Sequence, residues 1–319
     1  IGTGLVFLAG IWFFSATREY PTGQLNPGRY LPYGVALGLV IFLSISASSL
    51  FTHNAIAHLP QPTVQVRFSV KSAFLDMWRV IRLRSFSILL AAFFIWVIGL
   101  YIFRVGEIYL ATYFWRLDQE LVFMLPLANA VAALAITPVW VLVSRRVGKK
   151  WTVLGSLVVG VSAYCLFVAA KVYGLMPVEE RWYVPMVFGI SFLIAMILAA
   201  PQVITGSMVA DVADEFELVS GLRREGVLFG AINFMSKLCT GIGAQLTGLI
   251  ILYAGLRPKA NPEDVPLSVS NDLAIGISGS YFLLALVAML LFILYPLNQA
   301  RHCEIQQQLR LRKFPEVAT

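Results

Sequence analysis

Phe86–Ala111 reads FSILLAAFFIWVIGLYIFRVGEIYLA, and this stretch decides the fold. Arg104 and Glu107 are its only charged residues. At about 1.5 Å per residue, an apolar helix of roughly this length crosses a hydrocarbon core of about 30 Å. Lipid offers no partner for an unpaired backbone N–H or C=O, so the spanning form is a helix. A barrel would show short alternating strands instead.

Similar runs flank this one on both sides. They lie near Ile1–Thr17 (cut short), Tyr30–Thr52, Leu121–Val143, Trp151–Lys171, Tyr183–Met208, Val227–Gly255 and Leu273–Leu297. With Phe86–Ala111 this makes about eight spans. Composition agrees: 59% of the 319 residues are hydrophobic and 13% are charged, whereas a soluble domain carries about a quarter charged residues. The class is an all-α integral membrane protein. Its net charge of +7 sits in the loops, so the lipid bilayer is the expected partner and nucleic acid is not. Small residues recur in the later spans, as in Gly241-Ile242-Gly243-Ala244 and Gly276-Ile277-Ser278-Gly279-Ser280, where they let helix backbones approach.

Charge alternates from loop to loop. One set holds Arg67, Lys71, Arg79, Arg82 and Arg84, then Arg145, Arg146, Lys149 and Lys150, then Arg223 and Arg224, then the tail residues Arg301, Arg310, Arg312 and Lys313. The other set holds Arg18, Arg29, Arg116, Lys171, Arg181, Arg257 and Lys259. The first outnumbers the second about twofold, which places the first set and the C-terminus in the cytoplasm. The expected location is a plasma membrane, the inner membrane of a bacterium. Phe74–Arg84 reads as a short amphipathic helix on the membrane surface.

A polar group inside a span is costly and so is a functional candidate. Lys237 lies about 15 Å into its span, too deep to reach water easily. It is a candidate to bind substrate or to stand in for a coupling ion. Asn233 is one turn earlier and Gln245 two turns later, near the same face. Asn129 and Gln202 are uncharged polar groups within spans, and Gln202 follows Pro201, which frees backbone groups and can bend a helix. Asp211, Asp214, Glu215 and Glu217 end the span Tyr183–Met208, and Arg223, Arg224 and Glu225 follow. Asp211, Asp214 and Glu215 share a helical face and break the local cationic trend. The expectation is a cytoplasmic gate formed by Asp211, Asp214, Glu215, Arg223 and Arg224. The bland alternative is a solvated loop of weak ion pairs. Arg104 and Glu107, three residues apart, are either an intrahelical pair or the lining of an outer vestibule. Tyr109, Tyr113, Phe114 and Trp115 read as an interfacial aromatic belt.

Catalytic signatures are absent. There is no His-Glu-x-x-His, no Gly-x-Ser-x-Gly and no phosphate loop. Asp211-Val212-Ala213-Asp214-Glu215 is a single acidic motif, where a membrane prenyltransferase needs carboxylates on two facing helices to hold magnesium and pyrophosphate. Cys165, Cys239 and Cys303 lack metal spacing. No enzyme, no metal and no cofactor are expected.

Three stretches carry a family resemblance. They are Ser207-Met208-Val209-Ala210-Asp211-Val212-Ala213-Asp214-Glu215-Phe216-Glu217, then Gly221-Leu222-Arg223-Arg224-Glu225-Gly226-Val227-Leu228-Phe229-Gly230, then Lys237. Together they resemble the glycoside–pentoside–hexuronide:cation symporters, the melibiose-permease-like branch of the major facilitator superfamily. Looser likeness extends to Tyr20-Pro21-Thr22-Gly23-Gln24-Leu25-Asn26-Pro27 and Thr112-Tyr113-Phe114-Trp115. The resemblance implies a twelve-helix fold of two bundles, alternating access, and a site between the bundles at mid-depth. It places Lys237 at the family's lysine and Asp211 and Asp214 at its paired aspartates, positions that bear on coupling or the gate. It also implies that the chain is truncated at its N-terminus, starting in the family's fifth span, and that the family's sodium-site acids precede it.

The expected organisation follows. Residues 1–53 are the last two helices of an N-terminal bundle. Residues 54–85 are the cytoplasmic inter-bundle loop, 86–299 the C-terminal six-helix bundle and 300–319 a cytoplasmic tail. The expected activity is symport, coupled to sodium or protons, of a sugar, glycoside or related small polar solute by a monomer. The alternatives are a lipid or lysolipid carrier of the same fold and, more remotely, a prenyltransferase-like membrane enzyme. Lys237, Asn233, Gln202 and Asn129 are the substrate or coupling candidates.

Overall fold

The computed structural model describes residues 9–10, 12–13, 26–53, 77–176, 180–221, 224–258 and 260–313. Most of the first expected span, Ile1–Thr17, residues 54–76 of the expected inter-bundle loop with the start of its amphipathic helix, and Arg223 lie outside the described residues. Within them, a turn at Pro27–Arg29 leads into α1, Tyr30–Thr52. Then come α2 (Arg84–Tyr109), α3 (Gln119–Val147), α4 (Lys149–Val172), α5 (Glu180–Ser220), α6 (Glu225–Ala254), α7 (Leu267–Leu294) and α8 (Gln299–Lys313). The last turn of α2 widens into a π-turn, Leu110–Phe114. No strand occurs among the described residues.

Seven of these helices, α1 to α7, are long and apolar enough to cross a membrane. Large apolar side chains remain exposed along them, such as Phe42 and Leu43 on α1 and Leu283 and Leu290 on α7. Water would penalise such a surface, whereas lipid accepts it. α2 is the hub of the bundle, packed on α7 and α6. α5 lies against both α3 and α4, and α4 also meets α7. α1 buries none of its residues.

Small residues set the closest approach. A methyl group at Gly243 of α6 would sit 2.6 Å from Tyr101 Cβ and 3.2 Å from the backbone nitrogen of Ile102, so α6 can touch α2 only with glycine there. Gly241, two residues earlier, faces open space. Gly148 separates α3 from α4 at φ 92°, a left-handed conformation that a side chain would strain.

The largest departure from an expected span is in α5. α5 does not end at Met208 but continues as helix to Ser220. The acids from Asp211 to Glu217 therefore belong to a helix and not to a solvated loop. Val212, Ala213 and Phe216 explain the extension, because they alternate with the acids and are buried against the bundle. The tail is also structured: α8 packs on α5, with Ile305 and Leu309, one turn apart, buried.

Candidate functional site

α2, α3, α4 and α5 line a cavity of about 660 Å³. Its walls are mainly apolar, with Leu100, Phe103, Leu134, Phe167, Ile194 and Leu198 among them. Polar groups enter from separate helices. Arg104 and Glu107 share a face of α2, Asn129 and Thr137 come from α3, and Ser191 and Gln202 from α5. Asn129 Nδ2 donates to Glu107 Oε1 at 2.8 Å. Arg104 Nη2 donates to Gln202 Oε1 at 3.4 Å. The Tyr164 hydroxyl and Asn129 Oδ1 are buried without a hydrogen-bond partner, and both residues line the cavity.

Aromatic packing shapes the interior. Phe103 stacks on Tyr281 at 5.6 Å between ring centroids and meets the Tyr164 ring edge-on at 4.9 Å. Trp115 stacks on Phe167 at 4.5 Å, and both are lining residues. Proline helps to set the polar positions. Pro126 lies in α3 ahead of Asn129, and Pro201 lies in α5 beside Gln202. Trp140 Nε1 donates across helices to the Met196 carbonyl at 2.8 Å, near the break that Pro201 makes in the α5 ladder.

Arg104 and Glu107, expected as an intrahelical pair or a vestibule lining, meet Asn129 and Gln202 in one cavity. The physical reason is cross-helix pairing: Glu107 accepts from α3 and Arg104 reaches α5. Lys237 and Asn233 do not join them. Both are exposed on α6, as is Gln245, while Cys239 and Gly243 turn toward α2. Cys239 Sγ meets the Phe94 carbonyl at 3.5 Å. Phe94 lies about 15 Å along α2 from Arg104, so Lys237, two residues before Cys239, sits well away from the cavity.

The acidic face of α5 is held from three directions. Lys149 Nζ at the start of α4 lies 2.6 and 2.7 Å from the two carboxylate oxygens of Asp211. His302 Nε2 of α8 lies 3.3 Å from Asp211 Oδ1 and 3.2 Å from Asp214 Oδ2. Ser85 of α2 donates to Glu215 Oε2. Lys150 Nζ donates to the Ile293 and Tyr295 carbonyls at 2.7 and 2.9 Å, closing the end of α7. Burial pushes the Tyr295 phenol well above its ordinary range, and the Asp211 and Glu215 carboxylates add to the effect. Sequence reasoning missed Ser85, Lys149 and His302 as partners. The lysine was visible only as a loop charge, and a serine and a tail histidine carry no periodic signal.

The opposite end is closed by Lys171. Its Nζ meets the Phe114 carbonyl and the Tyr183 hydroxyl and lies 4.7 to 5.0 Å from the ring centroids of Phe114, Trp115 and Tyr183. Phe114 and Trp115 are buried, so this part of the expected aromatic belt packs inward. The lysine draws those rings in by cation–π attraction. Among the described residues no group of three His, Cys, Asp or Glu side chains is placed to hold a metal.

The sequence model of the family described as MFS/sugar transport protein matches residues 1–299. The chain belongs to that family. Among similar proteins of this kind, an uncharacterized symporter of Synechocystis sp. is 31% identical over 36% of this chain and 22% of its own length. Sodium-dependent lysophosphatidylcholine symporter 1 of Xenopus tropicalis is 26% identical, over 57% of this chain and 33% of its own length. The glucuronide carrier protein homolog of Escherichia coli K12 is 24% identical, over 58% and 38% respectively. The matched stretches thus span well under half of each relative. Membership and the seven apolar helices make this a multi-pass membrane protein of a major facilitator superfamily transporter family, and not a member of an enzyme family.

Proposed function

We propose that the protein is a secondary active symporter, coupled to sodium or protons, that moves a sugar, glycoside or related small polar solute by alternating access. The observation that carries this reading is the meeting of Arg104, Glu107, Asn129 and Gln202 in one cavity of the helical bundle. A fixed cation, a carboxylate and two amides suit a solute rich in hydroxyls with one anionic group. The sodium dependence in one relative's name supports cation coupling. Lys237 and Asn233 serve on the exposed face of α6 as a second contact for solute or ion.

The same reading makes residues 86–299 one bundle and the Asp211 end its cytoplasmic gate. Asp211, Asp214 and Glu215 exchange partners there with Arg223, Arg224, Lys149 and His302 as the gate opens. The C-terminus faces the cytoplasm on the loop-charge argument, and the protein works as a monomer in a plasma membrane, the bacterial inner membrane. Reconstituted into liposomes, it is expected to accumulate labelled glucuronide when a sodium or pH gradient is imposed. Uptake indifferent to both gradients would sink cation coupling.

A second reading, carriage of a lysolipid, is favoured by the mainly apolar cavity wall and by the lysophosphatidylcholine symporter among the relatives. Competition separates the two. Lysophosphatidylcholine added in the membrane blocks glucuronide uptake only if both share the cavity, and is itself moved only under the second reading.

A further inference from the structure

Resting on the symporter reading, we propose that Glu107 is a proton-binding site of this bundle, linked through Arg104 to a solute that carries a negative charge. Three observations converge on it. Glu107 is half-buried in a cavity with mainly apolar walls. Its carboxylate accepts a hydrogen bond from Asn129 Nδ2. Beside it stand two buried oxygens with no partner, the Tyr164 hydroxyl and Asn129 Oδ1, and Tyr164 is 6% exposed.

A buried polar atom without a partner is unfavourable, so such atoms point to something that visits the site. Protonation of Glu107 supplies it. The carboxylate form accepts from the Asn129 amide. The acid form has a new O–H to donate, and an unpartnered oxygen on α3 or α4 to receive it. The site therefore offers partners to both protonation states.

The surroundings favour a proton over a metal ion. Arg104 is on the same face of α2 and carries a permanent charge. A sodium ion at Glu107 would sit beside that guanidinium, whereas a proton neutralises the carboxylate and adds no second cation. The other titratable groups facing this region are Tyr164 and Cys165 on α4 and Tyr281 on α7. α3 and α5 contribute the uncharged Asn129, Thr137, Ser191 and Gln202, and α6 meets α2 through Cys239 and Thr247. No second acid lines the cavity among the described residues.

The linkage is electrostatic. An anionic solute that takes the Arg104 guanidinium removes the countercharge that Glu107 feels, and places a like charge nearby. Both effects favour the proton on Glu107. The proton comes from bulk water and bonds to a carboxylate oxygen. It returns to water on the other side when the solute leaves, so one proton accompanies one negative charge of solute.

The test is an infrared pH titration of the purified 319-residue chain in lipid nanodiscs, with D-glucuronate as the probe. Wild type is expected to gain a protonated-carboxyl band on acidification that E107Q lacks. Saturating glucuronate should strengthen proton binding about tenfold, and R104Q should abolish that effect while keeping the band. E107D, which keeps the carboxyl, should keep a displaced band and so separates lost chemistry from lost fold. A wild-type and E107Q spectrum that titrate alike overturns the proposal, as does a band that follows sodium chloride against choline chloride. Gradient-driven uptake that fails while the band persists defeats the symporter reading and leaves the proton site standing.

Discussion

Two charged regions of the bundle are built differently. At the Asp211 end the carboxylates are met by neighbouring helices: Lys149 of α4 at 2.6 Å, His302 of α8 at 3.3 Å, and Ser85 of α2. In the cavity, Arg104 reaches Gln202 only at 3.4 Å, and buried oxygens of Tyr164 and Asn129 remain without partners. The first region spends its charge on holding helices together. The second keeps polar capacity in reserve on an open cavity, as a site that receives something must, whereas the unpartnered Tyr295 hydroxyl near Asp211 does not line that cavity. The contrast is therefore between polar groups that finish the structure and polar groups that await a ligand.

The largest expected effect breaks the second region. Arg104→Ala should weaken solute binding about tenfold to a hundredfold, the worth of one hydrogen bond to a charged group, about 1.5–3 kcal/mol. Isothermal titration with D-glucuronate reads it, and the melting temperature should move little. Unchanged affinity would show that the cavity is not where solute binds.

The next effect is on the first region. Lys149→Ala removes the closest partner of Asp211 and should cost stability of about 1 kcal/mol, reduced from the buried value because the lysine is partly exposed. Thermal unfolding in detergent measures it. Solute affinity in the closed bundle should hold within about twofold. A reversed pattern, affinity lost and stability kept, would erase the distinction between the two regions.

Gly243→Ala sharpens the packing side of the comparison. The added methyl meets Tyr101 and the α2 backbone, so overpacking of about 1–3 kcal/mol outweighs the helix gain of about 1 kcal/mol. Gly241→Ala, in open space, should stabilise by up to about 1 kcal/mol. The pair is compared by thermal unfolding, and equal shifts would mean that α6 does not approach α2 as closely as described.

The smallest effect concerns Tyr295, whose hydroxyl is buried without a partner. Its pKa is raised in the folded state. The folded chain therefore keeps a proton that the unfolded chain loses, so stability is full below the unfolded value of about 10 and falls as pH rises through it. Tyr295→Phe should flatten that alkaline loss and change neutral-pH stability by less than about 1 kcal/mol. Denaturant melts at neutral and alkaline pH provide the check.

Much of this was legible along the chain. The expected span Tyr30–Thr52 coincides with α1, and Trp151–Lys171 falls within two residues of each end of α4, because apolar length alone defines a crossing helix. Asp211, Asp214 and Glu215 were readable as one face because helical spacing is local. α5 was read too short because hydropathy falls at the first aspartate, although Val212 and Phe216 carry the helix onward. Lys149, Ser85 and His302 could not be paired with those acids, since each sits on another helix far along the chain.

What the sequence determined by itself is the set of membrane helices and which of their residues are polar. Both follow from the solvent, because lipid demands an apolar surface and an internally bonded backbone. Only the tertiary structure decided the company those polar residues keep. It joined Arg104 and Glu107 to Asn129 and Gln202 and turned Lys237 to the other face of α6. The physical reason is that side chains meet across helices where small residues such as Gly243 allow close approach, and no local spacing encodes which helix that will be.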